Sequence, residues 1–481
     1  MLQMAANEGR DIMDEASNRT RVLADELFGL SFADLSAADI NQLEILIFDQ
    51  ISVALYGATT DWGTAIRRYA ERMTGTGQAQ VIASSARTVP AIAALANGAM
   101  THSYELDDTH DESMSHPGSV VIPAAIATGM EYGRSGQDLL AAIVAGYEAI
   151  ARIGGAANAK DVIETGFHPT GLFCGFGGAI AAARLRGLDV TQTCHAWGHL
   201  LSLASGAMQF ADEPSGTAVK RMHAGYAAHN AVLAVEMAAS GVAAPELALD
   251  GRFGFLSLYG ENANYDRLSR QPNAPFEIHQ ISIKPYSCCR LFHSTIDALE
   301  NITDGFSTNI ADIDKIVVRG PHAHADQHMI RRPTSVMAAQ YSLPYIVGAT
   351  LVAGPQAYDA YGEAHHNDNK ILELADKVET LHDAEIEAKF PKHMGSGVDI
   401  MMADGSVRSQ TLLDSVGTPG RPMDKQQVMD KGAGLTASAA PKFDVEAAMR
   451  AIEGLKEDAS VSTLACLLEG ALPEEQTARQ A

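Results

Sequence analysis

The chain is poor in cysteine: five in 481 residues, at Cys174, Cys194, Cys288, Cys289 and Cys466. No CxxC pair occurs among them, so neither a disulfide framework nor a zinc site is indicated. The adjacent Cys288 and Cys289 read as small buried residues in preference to a redox pair. Positive charge is also scarce, with 35 Lys and Arg against 59 Asp and Glu and a formal net charge of -24. That balance repels phosphate backbones and anionic lipid, which argues against nucleic acid and membrane as partners. It leaves room for an anionic small molecule, because a local Lys/Arg cluster inside a cleft can dominate the field there. The opening MLQMAANEGRDIMDEASNRT lacks an apolar segment and has acids on both sides of its Arg. No signal peptide is expected from it, and a cytoplasmic location is. The GxxxxGK[ST] phosphate loop is absent. The least charged stretch, 165–183, is rich in Gly and Ala with a Pro and a His inside it, and reads as buried helix and not as a membrane span.

What is present is an ordinary globular composition, 46% apolar and 20% charged, in a chain long enough for two domains. From about Thr20 to Gly260, runs such as INQLEILIFDQISVALYG, GQDLLAAIVAGYEAIARIG and GYAAHNAVLAVEMAASG carry Ala, Leu and Ile at helical spacing, punctuated by Gly or Pro. This part reads as all-helical. After the polar stretch 261–275 the pattern changes: FEIHQISIK, DKIVVRG and AEIEAKF read as strands, and VDIMMADGSVRSQTL as a hairpin around Asp404 and Gly405. Helical runs near 290–304 and 335–353 lie between them, which makes a smaller α+β domain. The pattern is helical again from Lys442, and the polar tail EGALPEEQTARQA is expected to fray.

Four stretches carry candidate chemistry. In HSYELDDTHDESMSHPG (102–118), Glu105, Asp107, Asp108, Thr109, His110 and His116 crowd together. So many like charges stay ionised cheaply only if cations or hydrogen-bond donors meet them, so perturbed titration is expected. Catalysis, a divalent metal site and a solvated acidic loop are all compatible with this motif alone. In TGFHPTG, His168 precedes Pro169, which pushes it out of the α region at a break in the helical pattern, with a structural or a cleft-facing ring as the alternatives. In GTAVKRMHAGYAAHN, Lys220 and His223 fall on one helix face. A Lys in so Ala-rich a helix needs an anionic partner, either a substrate carboxylate or a structural acid. In ISIKPYSCCRLFHSTIDALENI, Lys284 and Arg290 flank a strand-to-helix junction suited to a carboxylate, though a surface pair would also explain them.

The segments ELDDTHDESMSHPGSVVIPA, GFHPTG, KRMHAGYAAHN, IKPYSCCRLFHSTIDA and AAQYSLPYIVG resemble, in this order, the successive signatures of the MmgE/PrpD family, over about residues 20–460. The resemblance implies a mainly α fold: a large helical domain over 20–265 and 435–470, a smaller α+β lid domain over 270–430, and a homodimer with a cleft between the domains. It implies a cofactor-free, metal-independent enzyme acting on small di- and tricarboxylates, as in 2-methylcitrate dehydratase, cis-aconitate decarboxylase and iminodisuccinate epimerase. On the decarboxylase pattern, the catalytic positions fall on Glu105, Thr109, His116, His168, Lys220 and the lid residue Tyr345. Asp108, His223, Lys284 and Arg290 are the expected substrate-binding set. Glu105 stands where other members carry Asp, and SHPGSV replaces the GHPSDN-like stretch of the 2-methylcitrate dehydratases. The expectation is a lyase, dehydratase or decarboxylase, with His116 and His168 as the proton-transfer pair and Lys220 as the carboxylate clamp. A dicarboxylate epimerase and a non-catalytic binding relative are the alternatives.

Overall fold

A computed structural model describes residues 18–469, except 214–216, 272, 327–328 and 458. The expectations for the N-terminal leader and the frayed tail fall outside the described residues.

The large domain is a stack of helices: α1 (Arg19–Gly29), α2 (Ala37–Gly57), α3 (Asp61–Arg72), α4 (Pro90–Thr101), α5 (Gly118–Glu131), α6 (Gly136–Ala157), α7 (Ala159–Glu164), α8 (Pro169–Arg186), α9 (Val190–Leu203), α10 (Val219–Ala239) and α11 (Phe255–Tyr259). Their starts follow local chemistry. Ser36 and Asp39 form a capping box on α2, Ser135 caps α6, and Asp189 with Gln192 boxes α9, each satisfying amides that the helix leaves unpaired. α4, α5, α6, α8 and α10 form the packed centre, buried on nearly every face. α6 is long and apolar enough to cross a membrane, but 94% of its apolar window is buried inside the protein, as in a core helix. Gly225 permits the close crossing of α10 on α4, since a Cβ there would lie 2.4 Å from the Leu95 carbonyl oxygen.

This domain is not all-helical. Thr74–Gln80 (β1) pairs with Arg87–Thr88 (β2), and Thr109–His110 (β3) pairs antiparallel with Ile281–Ser282 (β4). The segment TGTGQAQ has no apolar alternation to announce a strand. It is strand because a partner lies alongside.

The lid has its own core, built from residues between Tyr286 and Met402. Its sheet has the order β6-β5-β7-β8: β5 (Ile313–Gly320), β6 (Val378–His382), β7 (Ser396–Met402) and β8 (Val407–Leu412), with β5 and β6 parallel and the other pairs antiparallel. Against it lie α12 (His293–Ile302), α13 (His322–Asp326) and α15 (Leu343–Ala353), with α14 (Val336–Gln340) and α16 (Asn369–Asp376) packed on α15. The hairpin around Asp404 and Gly405 is present as β7–β8. AEIEAKF is not a strand: Ala384–Glu387 is a short helix, α17, capped by Asp383, which accepts from the Glu385 and Ile386 amides. Of FEIHQISIK only Ile281–Ser282 is strand, after a 3-10 turn at Glu277–Gln280. The helical run 335–353 breaks at Tyr341, with Ser342 capping α15.

Ile278, Ile281 and Ile283 belong to the core of the large domain, so the lid's own packing begins near 286 and not at 270. The chain rejoins the large domain earlier than residue 435. Met423, Val428 and Met429 are already in its core, and α18 (Lys425–Ala439) packs along α2, followed by α19 (Val445–Glu453).

Candidate functional site

The acidic loop leaves the end of α4 and is held by three local devices. At Glu105 the backbone takes φ of 55°, the left-handed region, at a cost of about 1–2 kcal/mol for a non-glycine residue. The β3–β4 ladder sets Thr109 opposite Ser282, which brings the loop alongside the segment carrying Lys284. His110 and Ser115 then bridge, so the chain doubles back and returns His116 to the same place. Gly118 opens α5 with its amide on Asp108 Oδ1 at 2.9 Å. A Cβ there would lie 2.5 Å from Asp108 Oδ2, so this junction requires glycine.

Glu105 is the centre of charge. Its Oε1 accepts from Lys220 and from Arg221, and Lys284 Nζ lies 3.2 Å from Oε2; all four side chains are buried. Burial alone would raise the Glu105 carboxyl, but Lys220, Lys284 and Arg221 override it and hold it well below the usual carboxylate range. Lys220 is pushed down by burial, with Arg221 and Lys284 adding to the effect against the pull of Glu105. Lys284 goes the other way: burial lowers it, and Glu105 with Asp107 more than compensates. Three cations converge on one carboxylate, and Asp107 is a further anion acting on Lys284. Arg221 also donates to Gln340 at 2.7 Å, and Lys220 Nζ lies 2.6 Å from the Tyr341 hydroxyl, so the α+β domain reaches this cluster through the end of α14.

Four imidazoles stand beside the charges. Ring centroids are 4.9 Å apart for His102 and His116, 5.7 Å for His102 and His168, 6.3 Å for His116 and His168, and 5.2 Å for His168 and His223. His116 Nδ1 donates to the Asp108 carbonyl at 2.8 Å, leaving Nε2 as its basic atom. Its pKa is pushed down to about 3, first by burial and then by Lys284, with Asp107 opposing. His168 sits at the N-cap of α8 in the extended region, as Pro169 demands; its ring meets His223 Nδ1 to Nδ1 at 3.1 Å. Burial, with Lys220 adding to it, holds His168 well below its ordinary value; burial also takes His223 down to about 4.

The structure brings together Glu105, His116, His168, Lys220, His223 and Lys284. Thr109 is buried at the rim, its hydroxyl without a hydrogen-bond partner among the described residues. Asp108 turns away to accept from the Tyr147 hydroxyl at 2.6 Å and from Gly118, and burial raises it to about 7; it braces the loop through its side chain and not by facing the cations. Arg290 Nη2 lies 3.5 Å from Asp111 and not on Glu105. Tyr345 is elsewhere: fully buried in the lid core, its hydroxyl donates to the Ala360 carbonyl at 3.0 Å. The tyrosine of this domain at the cluster is Tyr341, four residues earlier and across the break between α14 and α15. His102, Arg221 and Gln340 received no role from the sequence, and Asp107 only the shared one of an acid in the crowded motif, expected to orient and tune the histidines. Arg221 was signalled only by its place beside Lys220, and His102 only by opening the acidic motif. Cys289 lies close by, its amide on the Gln340 carbonyl, but burial raises both Cys288 and Cys289 and leaves neither poised as a thiolate.

His102, Asp107 and His116 each offer a ligand atom within 4.8 Å of the others, a spacing that could hold a metal ion. A cavity of about 720 Å³ lined by Arg152, Arg270, Asp39 and His279 shares no residue with this cluster.

A buried, cation-rich centre with imidazoles lies where the helical domain meets the α+β domain. The chain belongs to the MmgE/PrpD family: the N-terminal domain of that family matches residues 21–268 and its C-terminal domain residues 286–457. Among curated relatives, the chain is 26% identical to the cis-aconitate decarboxylase of Aspergillus terreus, over 91% of this chain and 93% of that one. It is 26% identical to the cis-aconitate decarboxylase-like protein oryM of Aspergillus oryzae, over 95% and 98%, and 25% identical to the human cis-aconitate decarboxylase, over 95% of each.

Proposed function

We propose that this protein is a cofactor-free lyase for a small di- or tricarboxylate, with decarboxylation of an aconitate-type acid as the preferred reaction. The observation that carries the reading is the meeting of Lys220, Arg221 and Lys284 at the single carboxylate of Glu105, beside four imidazoles held neutral by burial. An incoming polycarboxylate competes with Glu105 for these cations. In a buried site their fixed charge is worth far more than in water. The full-length likeness to proteins named cis-aconitate decarboxylase supports the same substrate class.

The chemistry follows from the charges. Loss of carbon dioxide breaks a carbon–carbon bond and leaves its electron pair in the allylic system, next to a retained carboxylate. Lys220 and Lys284 stabilise the negative charge as it spreads, and an imidazolium supplies the one proton that completes the product. His116 Nε2 is free for this because Nδ1 is committed to the Asp108 carbonyl, and His168 flanks it. The empty site holds these rings neutral; a bound polyanion raises their pKa and loads the proton only when substrate is present. In a dehydratase the same pair would remove a proton alpha to a carboxylate and protonate the departing hydroxyl. Tyr341 is the lid group placed to touch the substrate. A homodimer in the cytoplasm completes the proposal.

The test is proton NMR of metal-stripped protein in deuterated buffer with cis-aconitate, 2-methylcitrate and iminodisuccinate in separate tubes. New vinyl signals with loss of carbon dioxide support the decarboxylase, and an alkene without it the dehydratase. Deuterium exchange without net conversion supports an epimerase. Activity lost to chelation and restored by a divalent ion would turn the reading toward a metal held by His102, Asp107 and His116. Silence in every tube refutes it.

A further inference from the structure

We propose that His322, His382 and Glu387, at one end of the α+β sheet, form a binding site for a divalent transition metal of the zinc class, which clamps α17 to the sheet. Each of the three offers a ligand atom within 4.8 Å of the others: two imidazole nitrogens and a carboxylate oxygen. This cluster shares no residue with the centre of cations and imidazoles, so the inference stands apart from the lyase reading. His322 and His382 are exposed, and Glu387 is partly buried. The sheet pre-sets their positions. β5 and β6 run parallel with Gly320 opposite His382, and His322 opens α13 two residues past Gly320. Asp383 then secures the turn into α17: its amide donates to the Gly320 carbonyl at 2.9 Å, its carboxylate pairs with Arg319 at 2.8 Å, and its Oδ1 accepts from the Glu385 and Ile386 amides. That cap fixes the short helix carrying Glu387, whose Oε2 accepts from the His322 amide at 2.8 Å. A carboxylate has about four acceptor positions, so this bond leaves room for an ion.

The ligand set selects the ion. Two imidazoles and one carboxylate suit zinc and its neighbours, whereas magnesium and calcium prefer oxygen throughout. His382 Nε2 lies 3.6 Å from Glu387 Oε2, too long for a hydrogen bond. Two ligand atoms on one tetrahedral zinc, with bonds of about 2.0–2.2 Å, stand roughly 3.3–3.6 Å apart, so the observed separation fits a shared ion. The two rings are stacked, with centroids 3.9 Å apart and planes 13° from parallel. On one ion their centroids stand roughly 5 Å apart, so the rings open by roughly 1 Å, a movement within reach of exposed side chains. Water completes the coordination. His324 takes no part: two residues on from His322 it turns to another face of the chain, where it is buried against Gly320 and Phe292. The ion thus bridges the end of β6, the start of α13 and α17, and the acidic balance of the chain favours a cation.

The test is equilibrium dialysis of the metal-stripped full chain against zinc chloride, with bound metal counted, for wild type, His322→Ala, His382→Ala, Glu387→Gln and Asp107→Asn. Thermal melts establish that each variant is folded. Gln at 387 keeps an acceptor for the His322 amide, and Asp107→Asn removes the acid of the other trio that could hold a metal, so the two sites are read separately. Wild type is expected to hold one zinc more than His322→Ala or His382→Ala, and Asp107→Asn to keep that ion. Glu387→Gln is expected to bind it at least about tenfold more weakly, since even partners outside the ligand shell are worth that much. Magnesium chloride in place of zinc is expected to leave no such difference between wild type and His382→Ala. Hydrogen exchange of the α17 amides should slow with zinc in wild type and not in His382→Ala. Folded His322→Ala and His382→Ala that hold as much zinc as wild type overturn the site, and so does a loss of zinc confined to Asp107→Asn. Magnesium held as well as zinc overturns the choice of ion, and unchanged exchange at α17 in the zinc-loaded wild type overturns the clamp.

Discussion

Glu105→Gln removes the carboxylate that, among the described residues, Lys220, Arg221 and Lys284 all share, while keeping the side chain's shape. Breaking a buried ion pair by deleting one partner costs about 3–5 kcal/mol. A second route to the number starts from Lys220, which relieves the site by losing its proton. At pH 7, neutralising a lysine whose ordinary pKa is about 10.4 costs roughly 4–5 kcal/mol, at about 1.4 kcal/mol per pH unit. The two routes agree, and the second adds a pH dependence. A lysine whose pKa is depressed in the folded state loses stability as pH falls below its unfolded pKa, so the deficit of the variant grows toward neutral pH. Because Lys220 is already pushed down in the wild type, these figures are ceilings: the deficit is expected to be up to about 4–5 kcal/mol at pH 7 and up to roughly 2–3 kcal/mol at pH 8.5. Urea melts read by the fluorescence of Trp197, fully buried in the large domain, measure this. A polycarboxylate ligand should restore more stability to the variant than to wild type, because it replaces the missing charge. A deficit under about 1 kcal/mol at pH 7, or one that does not shrink on going to pH 8.5, refutes the view that Glu105 is held between cations it must neutralise.

Asp108→Asn tests the brace behind the loop. With a folded pKa of about 7 against the ordinary 3.8, Asp108 contributes stability that is fully present below about pH 3.8 and lost as pH rises through about 7. The stability difference between wild type and Asp108→Asn should therefore change by roughly 2–3 kcal/mol between pH 5 and pH 8, favouring wild type at the acid end, in thermal melts across that range. Gly118→Ala places a methyl 2.5 Å from Asp108 Oδ2 and 2.6 Å from the Tyr147 hydroxyl, and should cost about 1–3 kcal/mol in a urea melt and lower turnover by displacing His116. Tyr341→Phe should lower turnover of the accepted acid with little effect on melting. Tyr345→Phe should cost about 1 kcal/mol of stability through the lost bond to Ala360 and leave kinetics unchanged; the opposite pattern would return the lid role to Tyr345.

Much of this molecule is legible in one dimension because its information is local. Helical spacing and caps mark the large domain, Pro169 sets the backbone of His168, Asp404 and Gly405 mark the lid hairpin, and the helical spacing of Lys220 and His223 puts both on one buried face. The five motifs in series were enough to indicate the family. The errors came where two local patterns compete or where a partner decides. AEIEAKF alternates like a strand, but Asp383 caps it into a helix. β1, β3 and β6 are strands only because Arg87–Thr88, Ile281–Ser282 and β5 lie beside them.

The site shows the same division. Composition and motif determined that this acidic protein concentrates carboxylates, imidazoles and a few lysines in particular segments. Only the tertiary structure decided how they pair. Lys220 and Lys284 share one carboxylate more than 100 residues from either; Asp107 chooses His102, five residues before it in the same motif; and Asp108 faces a tyrosine in place of the cations. Neighbours in the acidic loop differ in fate because a one-residue step turns a side chain to another face. The left-handed turn at Glu105 and the β3–β4 register, both products of contacts with distant chain, settle which face meets which charge.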